Sequence, residues 1–216
     1  MTVPILTSIV CGYFMGNLMA SYLVAKWVLG IDIREHGTGN AGGSNSFLLM
    51  GWKNGLIVGI IDILKAFIAV YIIRILYPSD PNLSLLMVIS GSMAIIGHIY
   101  PFFMGFKGGK GMACFMGMCL GINPLIGLYV ILATIALTLI TDYVAVASMT
   151  AYIVFPILLG LYPEAVLGSG ETYNIYTVTV ALVAGLIGIW KHRINISNLL
   201  NKKEKGLRGA LKKHSK

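Results

Sequence analysis

Three polar, glycine-rich segments carry nearly all of the chemistry available to this chain. The first runs His36-Gly37-Thr38-Gly39-Asn40-Ala41-Gly42-Gly43-Ser44-Asn45, the second Phe106-Lys107-Gly108-Gly109-Lys110-Gly111, and the third Trp190-Lys191-His192-Arg193-Ile194-Asn195. Glycine lets backbone N–H groups come close to a ligand. Lysine and arginine add charge, and Thr, Ser and Asn add neutral donors. Together these are the groups that bind phosphate oxygens.

Better-known motifs fit less well. Gly37, Gly39 and Gly42 have the spacing G-x-G-x-x-G, with Asp62 twenty residues after Gly42. That pattern binds dinucleotides only between a strand and a helix, whereas here it follows an apolar helical stretch. The Lys107–Gly111 run lacks the spacing of a P-loop, but Gly108-Gly109 between two lysines predicts close backbone approach to an anion. His98, near the end of an apolar run, is either a substrate contact or a hydrogen-bonding partner of another helix. Asp62 and Lys65 are three apart and share a helix face, which predicts a structural ion pair. Cys11, Cys114 and Cys119 sit in apolar stretches without metal-ligand spacing. There is no H-x4-D, G-x-S-x-G or H-E-x-x-H, so neither covalent nor metal catalysis is expected.

The elements that position these segments follow from composition. The chain has 216 residues, 57% hydrophobic and only 11% charged, against about 25% charged in soluble proteins. It reads as an all-α integral membrane protein. The net charge is +8, and nine of the sixteen Lys/Arg lie from Lys191 onward. Such clustering beside a span points to membrane topology and anionic lipid, not to nucleic acid. The apolar run 4–25 is long enough to span and lacks a basic leader, so a cleavable signal is not expected.

Apolar runs predict spans at 4–25, 54–77, 83–106, 143–163 and 172–190. The run 111–141 is too long for one span, and Asn123-Pro124 divides it into helices over 111–122 and 124–141. Seven transmembrane helices then put Lys26, Arg34, Lys53, Lys107, Lys110 and the C-terminal basic residues on one side. Asp80, Glu164 and Glu171 fall on the other, with Arg74 the exception. The positive-inside rule makes the basic side cytoplasmic, so the N-terminus is expected outside, the C-terminus inside and all three motif loops at the cytoplasmic face. Residues 1–196 form the membrane domain and 197–216 a basic cytoplasmic tail.

In their order and spacing the motifs resemble one family closely, the bacterial acyl-phosphate:glycerol-3-phosphate acyltransferases. Asp32, Arg34, Gly37, Gly39, Asn40, Gly42, Asn45, Gly51, Lys53, Gly55, Asp62 and Lys65 fall on the family's first motif without a gap. Gly97, His98, Pro101, Phe106 through Gly111 and Ala113 match the second, and Trp190, His192, Arg193, Asn195 and Ile196 the third. The chain departs from the pattern at several positions. Thr38 and Ser44 exchange hydroxyl types, Ala41 stands for Pro and Gly43 for Ala. Leu48 stands where the family usually has an arginine thought to hold the acceptor's phosphate.

The resemblance implies a multi-pass enzyme of the bacterial cytoplasmic membrane. It implies acyl transfer from acyl-phosphate to glycerol 3-phosphate, giving lysophosphatidic acid for phospholipid synthesis without a cofactor. On that reading Thr38, Lys107, His192 and Asn195 are the catalytic candidates. Gly37, Gly39, Asn40, Gly42, Ser44, Asn45, His98, Gly108, Gly109, Lys110 and Arg193 are the substrate-binding ones. Membrane lipid and other phospholipid-synthesis enzymes are the implied partners. A transporter of a phosphorylated metabolite is the rival reading. Transporters often show repeated halves with sites at mid-membrane, and this chain has no internal repeat and carries its motifs at one edge.

Overall fold

The computed structural model describes residues 1–168 and 175–209, and among them every regular element is helical. Glu171, Thr172 at the start of the last expected span, and residues 210–216 of the tail lie outside the described residues. The chain forms α1 (Thr2–Gly16), α2 (Ala20–Leu29), α3 (Gly43–Leu76), α4 (Leu83–Ile99), α5 (Met112–Ile122), α6 (Pro124–Thr141), α7 (Val144–Leu161), α8 (Pro163–Leu167), α9 (Ile175–Lys191) and α10 (Arg193–Leu200). Among the described residues five stretches are long and apolar enough to cross a membrane, or six if the bent pair α9–α10 is one span.

Local chemistry sets the boundaries. The expected division at Asn123-Pro124 is a helix junction. Asn123 Oδ1 accepts from the N–H groups of Leu125 and Ile126, 3.1 and 3.4 Å away, and Pro124 takes the first turn, where no N–H is needed. The expected span 4–25 lies within one membrane-length apolar stretch, Thr2–Leu29, broken into two helices at Asn17–Met19. The span expected over 54–77 belongs to a longer element that starts at Gly43 and is kinked at Gly51, whose φ of 81° is left-handed. A β-carbon at Gly55 would meet Phe47 Cα at 2.8 Å, so the short leading helix folds back along the start of its own span. The expected span 83–106 stops at Ile99 and continues as a short 3-10 turn, Phe102–Met104.

Three helices consecutive in the chain alternate in direction. Ala69 meets Ser90 and Lys65 meets His98, so α4 runs antiparallel to α3, while Gly91 packs on Met118 and Gly111 on Ile95, so α5 runs antiparallel to α4. Arg74 Nη2 donates to the carbonyls of Gly121 and Ile122, 3.1 and 2.6 Å away. Arg74, the exception to the expected charge pattern, therefore caps the last carbonyls of α5. Gly12 and Gly16 let α1 lie directly on α4 carbonyls, the small-residue packing of membrane helices. The core is Ala66, Val70, Ile73, Met87, Ile95, Phe115, Met118, Tyr152 and Phe155. Outside it, α6 exposes Leu125, Leu128, Leu132, Ile135 and Leu139, an apolar face suited to lipid.

Candidate active site

The first segment is a left-handed loop feeding a helix N-terminus. Gly37 and Gly39 have φ of 65° and 71°, which L side chains rarely adopt. Asn45 is fully buried inside this loop. Its Oδ1 accepts from Thr38 N at 2.8 Å, and its Nδ2 donates to the carbonyls of Ile33 and His36, both at 3.0 Å. Asn45 was expected to touch substrate, but its amide is engaged in bracing the loop. Gly42 precedes α3, whose first N–H groups lack intrahelical acceptors and carry the positive end of the helix dipole. Thr38, Gly39 and Ser44 are exposed around that end, and Asn40 is half-buried. Arg34 is held by Asp32 and donates through Nη1 to Met104 O at 2.7 Å, tying the residues just before the first segment to the turn just before the second. The Arg34 guanidinium keeps the Asp32 carboxyl below its usual range.

The second segment corrects the reading of its glycines. Gly109 N donates to His98 O at 3.0 Å and Gly108 N to Ile99 O at 3.1 Å. The close approach they allow is to the carbonyl end of α4, so these two N–H groups cap a helix and do not reach an anion. A β-carbon at Gly108 would overlap His98 O; one at Gly109 would overlap the His98 ring and lie 2.7 Å from Ala41 O. The first and second segments therefore touch at Ala41 and Gly109. Lys107 is exposed, whereas Lys110 is half-buried and donates to Asn195 Oδ1 at 2.6 Å. Burial lowers the Lys110 pKa, and the nearby Glu204 carboxylate opposes that effect.

In the third segment the chain bends by 53° at His192, just past the last residue of α9. His192 is 3% exposed. Its Nδ1 lies 2.8 Å from Gly188 O, and a carbonyl only accepts, so the proton sits on Nδ1 and Nε2 keeps its lone pair. Burial pushes its pKa down to about 4 against the pull of that hydrogen bond, with Lys110 adding to the depression, so the ring is neutral at pH 7. Asn195 passes the contact on, its Nδ2 donating to Glu204 Oε1 at 2.6 Å. Arg193 is exposed over the Trp190 ring.

His98 lies beneath the loops and is buried. Its Nδ1 faces Lys65 Nζ at 2.9 Å, and Lys65 also donates to Leu18 O at 2.6 Å in the break between α1 and α2. Asp62 Oδ1 is 2.7 Å from the same ammonium, a counter-charge outside good hydrogen-bonding angles. Asp62 and Lys65 thus form the buried pair that their spacing predicts. Asp62, His98 and Cys114 lie close enough to hold a metal ion, but the Lys65 ammonium already sits against the carboxylate and the imidazole.

The three segments and His98 meet at one end of the bundle, and two residues outside every motif join them. Tyr152 donates to Lys110 O at 3.1 Å, and Glu204 holds Asn195. A buried tyrosine hydroxyl needs a partner, and that need is the one signal that could have singled out Tyr152. Glu204 sits in a basic run and offers no comparable signal.

An all-helical membrane protein with a helix N-terminus, two lysines and a neutral histidine gathered at one end is built to handle phosphorylated substrates. The chain belongs to the glycerol-3-phosphate acyltransferase family, whose profile matches residues 6–202. A glycerol-3-phosphate acyltransferase of Chlorobaculum tepidum is 36% identical, covering 94% of this chain and 96% of its own length. That of Pelodictyon phaeoclathratiforme is 34% identical over 91% and 94%. The crystal structure of PlsY (YgiH), an integral membrane glycerol 3-phosphate acyltransferase, in its glycerol 3-phosphate form superposes with a TM-score of 0.81 at 32% identity, covering 94% of this chain and 95% of that one. Its lysophosphatidic acid form gives 0.78 at 31% identity over 96% and 98%.

Proposed function

We propose that this protein transfers a fatty acyl group from acyl-phosphate to the primary hydroxyl of glycerol 3-phosphate, releasing 1-acylglycerol 3-phosphate and inorganic phosphate. The observation that carries this reading is the convergence of the three segments, with Ala41 against Gly109 and Lys110 bonded to Asn195. The family's activity and the two ligand forms of the solved relative support the acceptor and the product.

The hydroxyl oxygen attacks the acyl carbon, the bond from that carbon to the phosphate oxygen breaks, and an ester forms. An anhydride is already activated, so the protein mainly aligns two anionic substrates and stabilises charge. In our assignment the N-terminus of α3 with Thr38, Asn40 and Ser44 holds the donor's phosphate. Lys107, Lys110 and Arg193 hold the acceptor's. His192 Nε2 takes the proton of the attacking hydroxyl. Its low pKa makes it a weak base in the free enzyme, and two phosphates alongside raise its affinity for a proton as they bind.

The same reading runs seven passages through the cytoplasmic membrane, with the N-terminus outside and this end inside. The antiparallel courses of α3, α4 and α5 support it, with α5, only 11 residues long, as the short passage between α4 and α6. On a cysteine-free background, probes at Thr38, Lys107 and Asn195 are expected to be shielded from an impermeant reagent in intact cells, and one at Asn82 to react. Outside labelling at Asn195 removes the seven-passage reading. The activity test is direct: purified protein, acyl-phosphate and glycerol 3-phosphate, with lysophosphatidic acid measured. Transfer from acyl-CoA with none from acyl-phosphate overturns the donor assignment.

A further inference from the structure

Tyr152 lies on α7 outside all three motifs, yet it meets two of them. Its hydroxyl donates to Lys110 O at 3.1 Å, and it sits 3.1 Å from where a β-carbon on Gly111 would be. Its ring packs against Gly188, the residue whose carbonyl fixes His192 Nδ1–H, and lies edge-on to His192 with centroids 6.3 Å apart. Phe115 clamps its other side at 4.9 Å, and a β-carbon at Gly185 would lie 2.8 Å from Tyr152 O. The side chain is 1% exposed and held from several directions, so it has little freedom to follow a shift in either segment.

We propose that Tyr152 is a positioning residue that locks the Lys110 loop to the His192 bend and so sets the distance between the acceptor-binding cation and the base. The proposal rests on the acyl-transfer reading above. Lys110 is the sensitive end of this link. Its backbone carbonyl is fixed by Tyr152 and its ammonium by Asn195, so losing the first anchor leaves the loop hanging on the second and on Gly109. Sub-ångström misplacement of a catalytic group is costly in rate.

The test is a double-mutant cycle on purified protein. Tyr152→Phe keeps the ring and removes only the hydroxyl, and is expected to lower kcat/KM for glycerol 3-phosphate about tenfold or more with the thermal midpoint nearly unchanged. Added to Lys110→Ala, it is expected to cost less than about twofold further, because the link then has nothing to position. Full additivity of the two losses overturns the proposal. So does failure of p-aminophenylalanine at 152, which restores a donor, to recover activity to within about threefold; that rescue also decides the matter if the Phe variant does not fold.

A second readout does not depend on turnover. In protein whose lysines carry 13C-methyl groups, the Lys110 resonance, assigned with Lys110→Arg, is expected to titrate higher in Tyr152→Phe as water enters the loosened loop. An unmoved midpoint overturns the link. If the wild type transfers nothing from acyl-phosphate, the functional reading fails while this titration still decides the role of Tyr152.

Discussion

His192 ties stability to pH by an amount that can be worked out from its surroundings. An unfolded histidine titrates near 6.5, and in the folded protein burial pushes it to about 4. Between these values the unfolded chain binds a proton that the folded one excludes, so stability must fall as the pH drops from 6.5 towards 4, and the contribution is complete above 6.5. At about 1.4 kcal/mol for each tenfold change in proton activity, the gap corresponds to about 3 kcal/mol. For a chain of this size that is on the order of 6–12 °C in thermal midpoint.

Many carboxylates also titrate in this range, so the useful quantity is the difference between wild type and His192→Gln, which keeps an amide donor near Gly188 O and cannot be charged. Thermal unfolding in detergent, scanned at one rate from pH 7 to pH 4, is expected to show wild type losing about 3 kcal/mol relative to the variant. The 13C-labelled imidazole of His192, assigned by its absence in the variant, is expected to titrate far below an exposed histidine. Parallel acid slopes, together with an imidazole midpoint near 6.5, refute the argument, because His192 would then be hydrated and free to ionise. That outcome also removes the neutral lone pair on which its role as base depends.

Gly109→Ala puts a β-carbon into the His98 ring and against Ala41 O; we expect a loss of about 1–3 kcal/mol in stability and a raised KM, read by thermal unfolding and initial rates. Asp62→Asn leaves the Lys65 ammonium buried without its counter-charge. Folded yield after size-exclusion chromatography is expected to drop, with a cost of about 3–5 kcal/mol, whereas normal yield with selective loss of turnover would make Asp62 a functional residue. Leu48→Arg adds a charged fork where the family usually has one and is expected to lower KM for glycerol 3-phosphate about ten- to hundredfold, with KM for acyl-phosphate unchanged. Arg34 is engaged by Asp32 and by Met104 O.

Much of this architecture was legible because membrane helices advertise themselves. Apolar runs located the membrane helices but not all of their ends, and Asn123-Pro124 marked a junction because proline and an N-capping asparagine act locally. What stayed hidden were breaks whose causes are tertiary. The gap at Asn17–Met19 lies in a continuous apolar run, and its Leu18 carbonyl is satisfied by Lys65, 47 residues away. The fold-back of the first turns of α3 depends on Gly51, a single glycine among many, and only the packing of Phe47 on Gly55 shows why that one turns.

The site shows the same division between local and long-range causes. Residue types mark each segment as polar and suited to anions, but type does not say which groups remain available. Gly108, Gly109 and Asn45 each have the makings of a phosphate contact, yet the fold commits their hydrogen bonds to α4 carbonyls and to the first loop. Thr38, Ser44, Lys107 and Arg193 remain exposed, the first two beside the start of α3. This partition has a physical logic. A loop that must present donors in a fixed geometry needs its other polar groups satisfied internally, since an unpaired buried amide costs about as much as a contact to a ligand contributes. The residues that look most like ligands in a glycine-rich motif are therefore often its scaffold. In this protein that scaffolding reaches beyond the motifs, to Tyr152 beneath the lysine loop and Glu204 behind Asn195.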